Sequence, residues 1–243
     1  MQILSIGNSF SQDAHRYIHR IARVDGVELT TCNLYIGGCP LSTHYRNMLS
    51  ERSPYTLEFN GENTGFFVSI KEALLNRDWD VVTLQQVSSL SPYYESYQPY
   101  LEAIAEYVRK YVPKAKLAIH QTWAYAPESE KLTEVMGFST HSEMFVAVEG
   151  AYRKAAKDIS ADIVITAGAL MNALLQAGTE KIHRDPIHAS FGLGRYALGL
   201  LWYAILTEKD IYKNSFSDFD EPIRPEEIEL AKRCVKEILE KYR

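Results

Sequence analysis

Short runs that are apolar on both sides alternate along the chain with longer segments of helical period. The runs at 2–6, 28–36, 80–85, 116–121 and 162–165 are mostly rich in Val, Ile and Leu. That is the pattern of strands in a parallel sheet covered on both faces. Between them, Leu101, Ile104, Tyr107, Val108 and Tyr111 recur at helical spacing, with Pro99 before them and Pro113 after; proline favours a helix start and cannot continue one. Further helices are predicted at about 142–159, 170–177 and 191–206. A last one at about 225–242 gathers Ala231, Cys234, Val235, Ile238, Leu239 and Tyr242 on one face. Strand–helix alternation of this kind predicts a doubly wound α/β fold, a three-layer α/β/α sandwich around about five parallel strands.

Two stretches interrupt the alternation. Residues 56–67 contain Asn60-Gly61 and Thr64-Gly65 and read as an inserted hairpin or loop. Residues 214–225 read as an irregular connection before the last helix. No Pro/Gly/Ser-rich linker divides the chain, so residues 1–243 are expected to form a single domain.

Composition narrows the function classes. With 46% hydrophobic and 23% charged residues the chain is an ordinary globular protein rather than a disordered one. A formal net charge of −5 argues against a nucleic-acid partner. The longest apolar run, 196–206, falls well short of the roughly 20 residues needed to span a bilayer and is expected to be a buried helix. The chain starts directly on a strand with no leader, so the expectation is a soluble protein, cytoplasmic by default. Cys32, Cys39 and Cys234 are too few and too irregular for a disulfide framework or a zinc site. His15 and His19 stand four apart on the first helix, yet no carboxylate or third histidine supports them as metal ligands. Neither Gly-x-Gly-x-x-Gly after the first strand nor Gly-Lys-Ser/Thr is present, which favours chemistry without a cofactor.

Candidate chemistry lies in two segments. Ile6-Gly7-Asn8-Ser9-Phe10-Ser11 follows the first strand, where loops at the carboxyl ends of strands build the site of such a sheet. Ser9 can open the next helix with its hydroxyl in the crevice and its N–H free, or serve only as a helix cap. His183-Arg184-Asp185-Pro186-Ile187-His188-Ala189-Ser190 lies between two late helices. An acid and a histidine three residues apart can meet on one turn, Asp185 accepting from the imidazole and leaving Nε2 to take a proton from a serine. The plain alternative is a polar loop in which Asp185 or Ser190 caps a helix.

With both segments in place the sequence resembles the SGNH or GDSL-type serine hydrolases, over most of its length. Their first block is a Gly-Asp-Ser-like motif after strand one, and their last is Asp-x-x-His followed by a small residue and Ser. The resemblance implies a flavodoxin-like SGNH fold and a triad of Ser9, His188 and Asp185. It also implies an oxyanion hole from the N–H groups of Ser9 and Gly38, the latter in Ile36-Gly37-Gly38-Cys39-Pro40-Leu41, with Gly37 a close rival. Two positions depart from the pattern. Asn8 stands for the usual aspartate, and Leu84-Gln85-Gln86-Val87-Ser88 lacks the asparagine of the third block. Gln85 is the expected third donor, with Gln86 as alternative.

Other residues carry weaker signals. Trp123 and Tyr125 after the fourth strand suit a sugar-stacking wall or ordinary core. Asn8 and His44 are candidates to line the substrate site, although His44 also suits a solvent-facing helix. The tyrosines Tyr93, Tyr94, Tyr97 and Tyr100 suit either a cleft or a cover for the sheet. Cys39 beside His44 is a second candidate nucleophile, disfavoured by Pro40 and by the lack of a nearby acid–histidine pair. The reading is an esterase or acylhydrolase cleaving short acyl esters, acetyl foremost, on a small-molecule or carbohydrate ester substrate. It requires no cofactor and no metal. The competing class is a silent glycan-binding protein on the same scaffold.

Overall fold

The computed structural model describes residues 1–242. The chain runs β1 (Gln2–Gly7), α1 (Ser9–Val24), β2 (Thr30–Tyr35), α2 (Leu41–Ser50), β3 (Tyr55–Phe59), β4 (Glu62–Val68) and α3 (Ile70–Leu75). It continues with β5 (Val81–Leu84), α4 (Tyr100–Tyr111), β6 (Lys116–His120), α5 (His141–Asp158) and β7 (Ile163–Ile165). Three helices close it: α6 (Ala167–Gln176), α7 (Leu193–Thr207) and α8 (Pro225–Lys241).

One seven-stranded sheet has the order β4-β3-β2-β1-β5-β6-β7. The five predicted strands are its parallel part, β2-β1-β5-β6-β7. The inserted stretch adds the other two as a hairpin, β3 antiparallel to β2 and β4 antiparallel to β3. Its turn is Asn60-Gly61, both at positive φ (51° and 80°), the backbone that a two-residue turn between twisted strands demands. The two short helices α2 and α3 carried no clear sequence signal. The second spans only six residues and begins with a capping box in which Ser69 and Glu72 bond each other's backbone N–H.

The strand order positions the site. The step from β1 to β2 runs one way along the sheet, and the steps from β5 to β6 to β7 run the other. Right-handed crossovers therefore place α1 on one face and α4 and α5 on the opposite face. Helix α7 joins α1, while α2 and α3 pack with α4. The order reverses between β1 and β5, and the loops leaving their carboxyl ends splay apart to open a crevice there. Beneath it Ile3, Leu4, Ile6, Val82, Leu84 and Ile119 are buried in a core shared by both faces. Among the described residues no helix is long and apolar enough to cross a membrane.

Candidate active site

The β1–α1 junction sets the first corner of the crevice. Asn8, in extended backbone, caps α1, its Oδ1 accepting from Phe10 N at 3.0 Å. Ser9 is the first helical residue, so its N–H has no intrahelical acceptor. Glycine at position 7 is a steric requirement: a Cβ there would meet Ser11 Oγ at 2.1 Å. That hydroxyl accepts from Asn8 N at 3.1 Å and donates to Asn33 Oδ1 at 2.8 Å, fixing the turn from below.

The loop before α7 sets the second corner. Asp185 Oδ1 accepts from the backbone N–H groups of Ile187 and His188, both at 2.9 Å, which closes the Asp-Pro-Ile-His turn. Its Oδ2 accepts from His188 Nδ1 at 2.8 Å. That fixes the tautomer with a lone pair on Nε2, which receives the Ser9 hydroxyl at 2.9 Å. Partial burial works to raise the Asp185 pKa, but these three N–H donors outweigh it and hold the carboxyl down at about 2. Asp185 is therefore ionised well below neutral pH.

The loop is also tied from two sides. Trp123 Nε1 donates to Ile187 O at 2.9 Å, and Ala126 N donates to Pro186 O at 2.9 Å. From α1, Asp13 reaches across with no side-chain exposure. It accepts from Arg184 Nη1 at 2.8 Å, Arg195 Nε at 2.9 Å and Ala189 N at 3.2 Å. Asp13 lies one helical turn after Ser9, so a single helix carries the serine and grips the loop that carries the histidine. The sequence held a signal for this residue: an acid on the face of α1 that also carries Phe10, Ala14 and Tyr17.

The crevice measures about 340 Å3 and is lined by Asn8, Ser9, Phe10, Tyr35, Gly37, Gly38, Val87, Ser88, Ser89, Tyr125, Ile187 and His188. Gly38 stands at φ 61° in the turn after β2. Ser88 Oγ and Tyr125 OH lie 3.2 Å apart on the wall opposite. Residue type alone does not mark Tyr35 or Ser88; their signal is their place at or just after the carboxyl ends of β2 and β5.

Other expected site residues stand elsewhere. Gln85 is 1% exposed and does not line the crevice. Its Nε2 donates to Asn8 Oδ1 at 2.7 Å and its Oε1 accepts from His120 Nδ1 at 2.9 Å. Gln86 is turned inward as well, accepting from Leu41 N and Val87 N and donating to Ser96. Trp123 is fully buried against Phe10, with ring centroids 4.1 Å apart, so it braces the histidine loop rather than stacking on a sugar. His44 is neither at the mouth nor in solvent: it is buried on Tyr55, whose hydroxyl lies 2.9 Å from Nδ1. Cys39 is buried too, and burial pushes its thiol up to about 12, which makes it inert as a nucleophile. His15 bonds Ser5 Oγ at 2.8 Å within the core. Among the described residues no cluster of three or more His, Cys, Asp or Glu could hold a metal ion.

Comparison with known proteins agrees with this architecture. A crystal structure of a DUF4886 family protein from Bacteroides uniformis is 28% identical, with a TM-score of 0.90, and the match covers 100% of this chain and 96% of that one. A candidate SGNH hydrolase from Slackia heliotrinireducens is 24% identical at a TM-score of 0.60, over 85% of this chain and 98% of its own. A family 3 carbohydrate esterase from Clostridium thermocellum is 10% identical at 0.53, over 86% and 96%. The last two establish a likeness of fold, that of the SGNH hydrolases. No curated protein matches the sequence. The family model described as a domain of unknown function, DUF4886, matches residues 2–237, and the chain belongs to that family.

Proposed function

We propose that this protein is a serine ester hydrolase that removes short acyl groups, acetyl foremost, from a polar alcohol such as a carbohydrate. The observation that carries the reading is the continuous chain Ser9 Oγ–His188 Nε2 (2.9 Å) and His188 Nδ1–Asp185 Oδ2 (2.8 Å) at the edge of a crevice. His188 Nε2 takes the proton of Ser9 as Oγ attacks the acyl carbon, and the ionised Asp185 stabilises the imidazolium that forms. The N–H groups of Ser9 and Gly38, neither donating to an acceptor among the described residues, receive the developing oxyanion. Nε2 then returns the proton to the departing alcohol oxygen. Water deprotonated by the same nitrogen attacks the acyl-enzyme, and Ser9 leaves with its proton restored. Such general-base assistance contributes about 10²–10⁴ in rate.

The substrate class is supported by the shape and chemistry of the crevice. Its volume is near the lower end of the usual range of about 300–1,000 Å3, which favours a small acyl group. The Tyr35, Ser88 and Tyr125 hydroxyls on its wall suit a hydroxyl-rich leaving group. Two fold relatives bear on this as well: the carbohydrate esterase above and an acetyl-xylooligosaccharide esterase.

The test is hydrolysis of p-nitrophenyl acetate, butyrate and octanoate by wild type, Ser9→Ala and His188→Ala, followed by a panel of acetylated glycans. Turnover fastest on acetate and abolished in both variants is expected, as is fluorophosphonate labelling of wild type but not of Ser9→Ala. Equal activity in all three proteins would sink the reading. Glycan binding without turnover or labelling would identify a silent binder.

A further inference from the structure

Asn8 at the crevice and Gln85 behind it are joined by one hydrogen bond, and together with their other partners it fixes the orientation of both side chains. Phe10 N can only donate, so the Asn8 atom it meets at 3.0 Å is the amide oxygen. Gln85 meets that same oxygen at 2.7 Å and must present its nitrogen there. The Gln85 oxygen then faces His120, whose Nδ1 lies 2.9 Å away and must carry the proton. The remaining Asn8 atom is therefore Nδ2, and its contact with the Cys39 carbonyl at 3.3 Å agrees. Each amide has one permitted orientation, and a flip of either would set oxygen against oxygen.

Asn8 Nδ2 carries two hydrogens, and Cys39 O accounts for one. The other has no acceptor among the described residues. Asn8 adjoins Ser9 in sequence and bonds the carbonyl next to Gly38, the two residues whose N–H groups are free at the crevice. All three line that crevice, whereas Gln85 and Gln86 do not. We propose that the Asn8 side-chain amide is the third oxyanion-hole donor, and that Gln85, backed by His120, is a positioning residue that locks its N–H toward the reacting oxygen. The inference rests on the ester-hydrolase reading. The donor is 1% exposed, and a preoriented N–H away from water stabilises a developing negative charge most strongly.

The His120 ring suits this role. Burial holds its pKa down at about 3, so it stays neutral and keeps a single proton for Nδ1. Its Nε2 is unpartnered among the described residues, and its ring packs edge-on to Trp202 with centroids 5.0 Å apart. A neutral imidazole with one N–H cannot rotate to offer Gln85 a second donor.

The test compares kcat and KM for acetate ester hydrolysis in wild type, Ser9→Ala, Asn8→Asp, Asn8→Ala and Gln85→Leu, with circular dichroism and thermal unfolding on each. Asn8→Asp keeps the oxygen that caps α1 and receives Gln85 but replaces the amide nitrogen with an acceptor, so the fold has its best chance of surviving. Its kcat is expected to fall about 10²–10³-fold with KM little changed, the loss typical of one oxyanion donor. Asn8→Ala should lose as much in kcat and also unfold at lower temperature. Gln85→Leu, which removes one of the three contacts that hold the Asn8 amide and leaves the amide itself in place, should lose about tenfold in kcat, again with KM nearly constant. The reverse order, with Gln85→Leu losing 10²–10³-fold and Asn8→Asp nearly fully active, would overturn the assignment and make Gln85 the donor. Wild type active on no ester would instead overturn the hydrolase reading beneath it, a result distinguishable because Ser9→Ala would then match wild type.

Discussion

The two corners of the crevice are built on different length scales. At the histidine corner the functional geometry is local: Asp185 and His188 are three residues apart, and one carboxylate closes the turn and orients the ring. At the β1–α1 corner, where Asn8 is backed by Gln85 from the end of β5 (the β5 corner below), it is not. Gln85 bonds Asn8, 77 residues away, and His120, 35 residues away, and the orientation of its own amide, which backs Asn8, depends on both. A local turn can be recognised from residue types and spacing alone. A relayed amide orientation exists only once three strands lie side by side. The contrast predicts that the histidine corner fails through its own residues and the β5 corner through remote ones.

The largest expected effect tests the local corner. His188→Ala should lower kcat about 10⁴–10⁶-fold, and Asp185→Asn about 10⁴-fold, by removing the base or by permitting the wrong tautomer. Single-turnover rates on the best acetate ester measure both. A loss below tenfold in Asp185→Asn would mean that the backbone turn alone orients the ring, and that the carboxylate serves the loop rather than the chemistry.

The next effect tests whether the histidine corner is as local as it looks. Asp13 is buried between Arg184 and Arg195, and removing its charge leaves both guanidiniums without their shared partner. Breaking a buried pair in this way typically costs about 3–5 kcal/mol. For a chain of this size, with roughly 2–4 °C per kcal/mol, Asp13→Asn should lower Tm by about 6–20 °C. The rate should fall as well, because the Ser9–His188 distance is held through that clamp. A variant with unchanged Tm and full rate would show that Trp123 and Ala126 hold the loop unaided.

These cases explain how far the sequence could be read. The parallel strands were visible because a strand buried on both faces has no choice but to be apolar, and β3–β4 announced itself through Asn60-Gly61. Helices α2 and α3 were not, since α3 is six residues long and α2 buries only Leu41, His44 and Met48. Ser9, Asp185 and His188 stood out because their residue types are rarely combined on loops leaving one sheet edge. Trp123, open between wall and core, and His44, expected at the site or in solvent, share one difficulty. An aromatic after a strand or an imidazole on a helix can turn to solvent or to the core, and only the partners present, Ile187 O for Trp123 and Tyr55 OH for His44, decide which. Gln85 and Gln86 are adjacent and chemically identical, so no local rule could assign their amides.

The last effect separates the corners by pH. The imidazoles behind the β5 corner, His15 and His120, are held by burial at about 3, and His44 beyond β2 likewise. A histidine in the unfolded chain takes up a proton near pH 6.5. Between about pH 6.5 and 3 the unfolded state therefore binds more protons than the folded state, and stability falls as pH falls, by up to about 1.4 kcal/mol per pH unit for each such group. Asp185 responds to acid with the same sign but at lower pH: its folded pKa, about 2, lies below the unfolded carboxylate value. Its contribution is fully present above the ordinary carboxylate range and is lost only as pH falls toward 2. Acid should thus strain the buried side of the β5 corner while the Asp185–His188 turn is still ionised. Thermal unfolding from pH 7.5 to 4 should show Tm declining from about pH 6.5 downward. His120→Gln should flatten that decline by up to one proton, whatever its Tm at neutral pH. A Tm constant down to pH 4 in wild type would mean that these imidazoles take up protons without unfolding, and that the lock on Asn8 is looser than its hydrogen bonds imply.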